Sequence, residues 1–151
     1  MRIELYDSDK LNFVELNITG DNDNYESIDS ESRFLDGEVF NIFISCFENS
    51  NKLFDYFGPT KYNSRKIIPL RNELAIYLEK LKKISSIDTF LSFIGDIFLG
   101  NNFVLSLEHI DKNWKNNWKI YVDKLIDVNQ DMIDLVDLCV EQERILWVKG
   151  Y

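Results

Sequence analysis

The chain has 151 residues, a formal net charge of −9 and a hydrophobic share of 45%, values that indicate a folded domain with a sizeable core. The negative charge argues against direct binding to nucleic acid or to an anionic membrane, and it favours a basic protein as partner. No stretch approaches the roughly 20 apolar residues of a membrane span, and the N-terminus lacks a signal-peptide pattern, so we expect a cytoplasmic protein.

The first third of the chain alternates polar and apolar residues with the period of two that is typical of strands. The segments "RIELY" and "LNFVELNI" are predicted to pair as a hairpin with "DSDK" as its turn. The polar segment Asp21–Ser32 is predicted to be a loop. The run "EVFNIFISCF", rich in Phe and Ile, is predicted to be a central strand, and Gly58-Pro59 is a turn signal.

From Pro69 onward the apolar period changes to 3.6, which predicts amphipathic helices. Pro69 fits the first position of the first helix. Ser85 and Asp88 fit a capping box for the second helix, and Gly100 fits the residue after its end. The segment 101–110 allows either a strand or a helix.

The remaining chain predicts two more helices and a last strand. A third helix includes Trp114 and Trp118, and a fourth follows Asn129 as its N-cap. Glu143 would fall on the apolar arc of the fourth helix, so that helix should end before it. The segment "RILWVKGY" then returns to the sheet. We therefore predict one α+β domain over residues 1–151, with N-terminal antiparallel strands, about four amphipathic helices and a C-terminal strand.

The sequence contains no recognisable catalytic or cofactor motif, so neither an enzyme nor a cofactor is expected. His109 is the single histidine and lacks a partner pattern for acid–base or zinc chemistry. Cys46 and Cys139 lie in apolar surroundings and are interpreted as core residues. The loop after Asp21 fails the calcium-loop pattern, because Glu26 and Ser32 stand where Gly and Glu are required. No metal site is predicted.

The first candidate binding surface is the acidic loop. The first 60 residues hold 13 acidic and 4 basic side chains, and the loop concentrates part of that excess around two possible apolar anchors, Tyr25 and Ile28. Anchors ringed by charge are typical of protein-binding patches. The alternative interpretation is a solvated, mobile connection. The predicted partner-binding residues of the loop are Asp21, Asp23, Tyr25, Glu26, Asp29 and Glu31.

The second candidate surface is an acidic stripe on the last predicted helix. Like charges three or four residues apart destabilise a helix by about 0.2–0.5 kcal/mol per pair, so a helix selected for stability alone would mix signs. Leu138 falls inside the acidic arc as a possible anchor, whereas the alternative is a merely solvated face. The predicted partner-binding residues of this stripe are Asp131, Asp134, Asp137, Leu138 and Glu141.

A small basic cluster indicates a different kind of ligand. It lies around the start of the first predicted helix and contains an aromatic residue, a combination that can hold phosphate or nucleic acid. The alternatives are plain surface or internal partners for the acidic loop. The cluster comprises Lys61, Tyr62, Arg65, Lys66 and Arg71.

The overall pattern resembles the immunity proteins that bacteria encode beside polymorphic or contact-dependent toxins. The resemblance lies in the acidic α+β chain, in the "YFGPTKYNSRKIIPL" connector into "RNELAIYLEKL", and in the terminal "ERILWVKGY". It implies a protein that binds and blocks a basic toxin domain, often a nuclease. The alternatives are an adaptor or assembly subunit, an acidic nucleic-acid mimic, and a carboxylate-dependent hydrolase.

Overall fold

The computed structural model describes residues 1–7, 13–26 and 29–151. In this part of the chain, four strands form one antiparallel sheet in the order β2-β1-β4-β3. The strands are β1 Phe13–Asn17, β2 Arg33–Asp36, β3 Thr60–Tyr62 and β4 Leu146–Gly150. The helices are α1 Gly37–Ser50, α2 Ile67–Lys82, α3 Ile87–Gly95, α4 Gly100–Ile110 and α5 Trp118–Glu141. The predicted α+β class, with N-terminal strands and a C-terminal strand, is confirmed.

The helices cover one face of the sheet, and the described residues between β1 and β2 cover the other. Val14 and Leu16 of β1 join a hydrophobic cluster that takes buried residues from every strand and helix above. The alternate β1 residues Glu15 and Asn17 are also fully buried, because the loop packs over them. Trp147 of β4, opposite Asn17, donates its indole N–H to the carbonyl of Asp21 in the loop at 2.9 Å.

The run predicted to be a central strand is instead helix α1. Its apolar residues include Val39, Phe40, Phe43 and Phe47, and all four are buried. The helix packs against the sheet, α2 and α4. Its buried residues recur at helical spacing opposite Asn41, Ser45 and Glu48, but a short run of aromatic and β-branched side chains fits a buried strand equally well. A short strand, β3, follows the Gly58-Pro59 turn and was not predicted.

The predicted N-terminal hairpin is wrong in its pairing. β1 pairs with β2 and β4, whereas Tyr6 forms an isolated antiparallel bridge with Phe34 at the free edge of β2. The Tyr6 hydroxyl also donates to Asp36 at 2.7 Å. Most of the predicted "DSDK" turn, residues 8–10, lies outside the described residues.

Three helix boundaries differ from the predictions. α2 begins at Ile67, so Pro69 occupies the third helical position, which still needs no intrahelical N–H bond. The capping box of α3 uses Ser86 and Thr89, one residue later than predicted. Gly100 begins α4 instead of ending α3, and Leu99 before it has a positive φ of 61°. The ambiguous segment 101–110 is therefore helical.

The fourth predicted helix and Trp118 of the third belong to one continuous helix, α5, whereas Trp114, also predicted to be in the third helix, lies in the turn before it. Asn129 is not an N-cap but lies in its middle, and its side chain is fully buried. Neither the amide oxygen nor the amide nitrogen of Asn129 has a hydrogen-bonding partner among the described residues. None of the described helices combines the length and hydrophobicity that crossing a bilayer requires.

α5 ends just before Glu143, as predicted, and the turn into β4 is tight. Glu143 has a positive φ of 55°. The amide of Arg144 donates to the carbonyl of Cys139 at 2.8 Å, and the Glu143 amide donates to Val140 at 3.4 Å. These two bonds are those of a Schellman motif, whose left-handed position is usually glycine. Glutamate therefore holds a conformation that costs it about 1 kcal/mol.

Candidate functional site

The acidic loop is fixed to the outer face of the sheet through the buried carboxylate of Glu15. Ser32 donates its hydroxyl proton to Glu15 at 2.7 Å, and Tyr151 donates to it at 3.1 Å. Tyr25 donates a third hydrogen bond to the same carboxylate. Burial and the hydrogen bond to Glu15 raise the pKa of the Tyr25 hydroxyl well above its usual range. The Tyr25 side chain thus holds the loop against the sheet.

Asn17 provides the second attachment of the loop. Its amide nitrogen donates to the carbonyl of Glu26 at 2.5 Å, and its amide oxygen accepts from the backbone N–H groups of Thr19 and Gly20. Lys61 of β3 adds a bond from its ammonium group to the carbonyl of Asn22 at 2.7 Å. The described part of the loop is therefore held in place, in contrast to the mobile connection considered as an alternative.

The fixed loop directs carboxylates to solvent. Asp21, Asp23 and Glu26 are exposed. The Asp21 carboxylate accepts hydrogen bonds from the backbone of Asp23 and from Asn24, and these bonds lower its pKa. Asp21 therefore stays ionised and points in a defined direction.

Asp29 and Glu31 are already engaged within the molecule. Burial alone would raise the pKa of Asp29, but hydrogen bonds from Thr19 and from the backbone of Glu31 and Ser32 lower it overall. Glu31 forms an ion pair with Arg144 at 3.3 Å. Ile28, a predicted anchor, lies outside the described residues.

The acidic stripe of α5 leaves most of its charges unneutralised. Asp127, Asp131, Asp134 and Glu141 are exposed and form no ion pair with any described residue. Partial burial and the neighbouring carboxylates of Asp134 and Asp127 raise the pKa of Asp131. The stripe is about 21 Å long, from the helical rise of 1.5 Å per residue. It is a row of like charges that repel one another.

Two predicted members of the stripe have a different role. Asp137 accepts two hydrogen bonds from the Arg71 guanidinium, at 2.5 and 3.1 Å, in a bidentate ion pair between α5 and α2. Leu138 was predicted to be an exposed anchor, but it is partly buried and packs against the core. Arg71, one member of the basic cluster, is thus an internal partner of an acidic residue.

A groove lies where the acidic loop meets the turn between α5 and β4, and we call it the α5–β4 groove. It consists of two adjoining depressions of about 580 and 480 Å³ that share Asn22, Glu143, Arg144 and Ile145 as lining residues. The first extends to Ile68 of α2 and Val140 of α5, which are 44% and 41% exposed. The second extends to Asp21 and Glu31 of the loop.

The structure therefore brings together only part of the predicted set. Asp21 and Glu31 of the loop line the groove, and Glu141 at the end of the stripe lies two residues before the groove residue Glu143. Ile68, Val140 and Arg144 were not predicted to be site residues, and Glu143 was predicted only to lie beyond the end of the fourth helix. Local spacing does not mark these residues, because the groove forms only where separate segments meet.

No group of three or more His, Cys, Asp or Glu side chains is arranged to hold a metal ion in residues 1–7, 13–26 and 29–151. His109 is exposed near the end of α4. Cys139 lines the groove, but burial raises the pKa of its thiol to about 11, so it is protonated at neutral pH and a poor nucleophile.

Comparisons with protein-family models, with curated proteins and with solved structures return no match for this chain.

Proposed function

We propose that the protein is a non-catalytic antagonist of the immunity type, which binds a basic toxin domain and covers its active site. The observation that carries the proposal is the unneutralised stripe of Asp127, Asp131 and Asp134 on α5. Like charges at these spacings destabilise the helix by about 0.2–0.5 kcal/mol per pair. A cationic partner would remove this repulsion between the carboxylates of the free protein, and its removal would contribute to the free energy of binding.

The fixed loop supports the same proposal. Side chains held in one direction before binding lose little conformational entropy when the partner arrives. Asp21 is positioned by three hydrogen-bond donors on Asp23 and Asn24, and the loop backbone around it is tied to Trp147 and Lys61. The loop carboxylates can therefore occupy positions that phosphates would take on a nuclease, because both are anionic oxygen acceptors.

The test uses the product of the reading frame adjacent to this gene. We expect that reading frame to encode a basic C-terminal domain that stops growth when expressed alone and permits growth when this protein is co-expressed. The variant Asp127→Asn, Asp131→Asn, Asp134→Asn should protect less well than the wild type. A control that removes three exposed charges elsewhere, Asp7→Asn, Asp88→Asn, Glu108→Gln, should protect fully.

The proposal would be contradicted if co-expression of this protein did not restore growth, or if the product of the adjacent reading frame were harmless. Equal protection by the stripe variant and the control would show that the stripe has no part in binding.

A second candidate function is an assembly subunit, and one observation favours it. Phe98 is 81% exposed in the turn between α3 and α4, and it lines a separate depression of about 430 Å³ together with Tyr77, Phe93 and Ile97. Exposed aromatic residues beside an apolar depression are typical of contacts between subunits. Sedimentation equilibrium of the wild type and of Phe98→Ser distinguishes this function, because only an assembly subunit would dissociate on that substitution.

A further inference from the structure

The α5–β4 groove combines apolar walls with an acidic rim. Ile68 and Val140 present exposed aliphatic surface in one half of it. Asp21 and Glu31 stand at the other half, and Glu143 belongs to both. Asp21, Glu31 and Glu143 carry negative charge, and Arg144 is the single cation among the described lining residues. Since Arg144 pairs with Glu31, Asp21 and Glu143 remain as net negative charge among the lining residues, and the Lys61 ammonium lies near them, bonded to the carbonyl of Asn22 at 2.7 Å.

The chain itself places a guanidinium group beside a carboxylate at this groove. Arg144 lines both halves of the groove, and its guanidinium nitrogen is 3.3 Å from a carboxylate oxygen of Glu31. Arginine and lysine side chains have an aliphatic stem and a cationic head, so they pack well where apolar surface ends at a carboxylate. Ile68 and Val140 supply the apolar surface, and Glu143 supplies the carboxylate.

We propose that the α5–β4 groove is the docking site for a lysine- or arginine-rich extended segment of the partner. This inference rests on the proposed function, because it names the part of the surface that receives the basic protein. The cationic head of one partner side chain pairs with Glu143, its stem packs on Ile68 and Val140, and a second head reaches Asp21.

The probe is a fluorescein-labelled ten-residue peptide of alternating leucine and lysine, measured by fluorescence anisotropy. Peptides with glutamate in place of lysine, and with glycine in place of leucine, serve as comparisons. The leucine–lysine peptide should bind more tightly than either. The substitution Ile68→Ser should raise its Kd about tenfold, because an aliphatic contact is lost, and Glu143→Gln should raise it comparably through loss of charge.

The variant Glu143→Gly separates loss of binding from loss of folding. Because glycine suits the left-handed backbone at position 143, this variant should unfold at a temperature no lower than that of the wild type, yet bind the peptide about tenfold more weakly. The stripe variant Asp127→Asn, Asp131→Asn, Asp134→Asn should bind the peptide within about threefold of the wild type, because its charges lie outside the groove.

Wild-type protein that does not bind the leucine–lysine peptide, or groove variants that bind it as the wild type does, would overturn this inference. If protection against the toxin persists in that case and is lost only in the stripe variant, the proposed function stands and the partner docks on α5. If protection is absent as well, both proposals fall.

Discussion

Asn129 places a polar amide in the middle of the buried face of α5. Val128, Met132 and Val136 beside it on the helix are buried and apolar. The amide lacks hydrogen-bonding partners among the described residues, and an unsatisfied buried polar group costs about 1–3 kcal/mol. The residue therefore works against the stability of the helix that carries the acidic stripe.

We predict that Asn129→Leu increases the free energy of unfolding by about 1–3 kcal/mol, because the amide is replaced by an apolar group that branches at the same carbon. Urea unfolding of the two proteins measures the difference. The volume-conserving control Met132→Leu, on the same buried face, should change stability by less than about 1.5 kcal/mol. A lower urea midpoint for Asn129→Leu than for the wild type would contradict this assignment.

Glu143 is a second residue whose position in the fold lowers the free energy of unfolding. Its φ of 55° lies in the region where an L-residue other than glycine is disfavoured by about 1–2 kcal/mol. We predict that Glu143→Gly increases the free energy of unfolding by about 1 kcal/mol, since glycine removes this cost but gains entropy in the unfolded chain. Thermal unfolding measures it, and a lower transition temperature for the variant would show that the turn is not strained.

At the scale of single elements, the loop depends on the Glu15 carboxylate beneath it. Tyr25→Phe removes one hydrogen bond to this buried group, and we predict a loss of about 1–3 kcal/mol in the free energy of unfolding. Tyr121→Phe is a matched control, because its hydroxyl bonds to the more exposed Asp111 at 2.8 Å, and it should cost less. Equal losses for the two variants would argue against a special role for the Glu15 network.

Helix α5 should become more stable when its central carboxylate is neutralised. The pKa of Asp131 is raised in the folded protein by partial burial and by Asp134 and Asp127, so its ionised form destabilises the native state. We predict that Asp131→Asn increases stability at pH 7 by about 0.2–0.5 kcal/mol for each of the two like-charge pairs.

The sign of the pH dependence follows from the direction of the Asp131 pKa shift. As the pH falls through the folded pKa, Asp131 takes up a proton and the repulsion disappears, so the advantage of Asp131→Asn should vanish below about pH 4. Urea unfolding at pH 7 and pH 3 measures both values. A variant less stable than the wild type at pH 7 would mean that Asp131 has a stabilising partner.

The sequence predicted some elements well because their two faces differ. α2 shows a clear apolar stripe of Leu70, Leu74 and Leu81, all fully buried, opposite polar residues. α1 has a comparable contrast between Val39, Phe43 and Phe47 on its buried face and Ser45 and Glu48 on its outer face. It was nevertheless predicted to be a strand, because a short apolar run with β-branched and aromatic residues fits a buried strand equally well.

The candidate site was predicted only where it depends on local charge. The α5 stripe is visible from helical spacing, and the acidity of the loop is visible from composition. The ion pairs Arg71–Asp137 and Arg144–Glu31 join residues far apart in the chain, so spacing could not reveal them. The groove likewise requires three separate segments to meet, and the role of Tyr25 in holding Glu15 depends on the loop folding back over β1.

At the scale of the whole molecule, some acidic residues form ion pairs within the protein, whereas others are exposed to solvent without one. Asp137 and Glu31 form ion pairs with Arg71 and Arg144. The exposed carboxylates of α5 and of the loop residue Asp21 form no ion pair within the described residues; those of α5 are Asp127, Asp131, Asp134 and Glu141. With a net charge of −9 and carboxylates exposed in this way, the protein would encounter a cationic protein faster than a neutral protein would. This increase in the encounter rate would be smaller at high salt.

The most direct test of the proposal is the rate of association with the purified basic domain that we expect the adjacent reading frame to encode, measured by stopped-flow fluorescence at low and high salt. The variant Asp127→Asn, Asp131→Asn, Asp134→Asn should associate about tenfold more slowly than the wild type at low salt, with a much smaller change in dissociation rate. The difference should shrink as salt is raised. Association of the variant at the wild-type rate at low salt would contradict the proposal that α5 recruits a cationic partner.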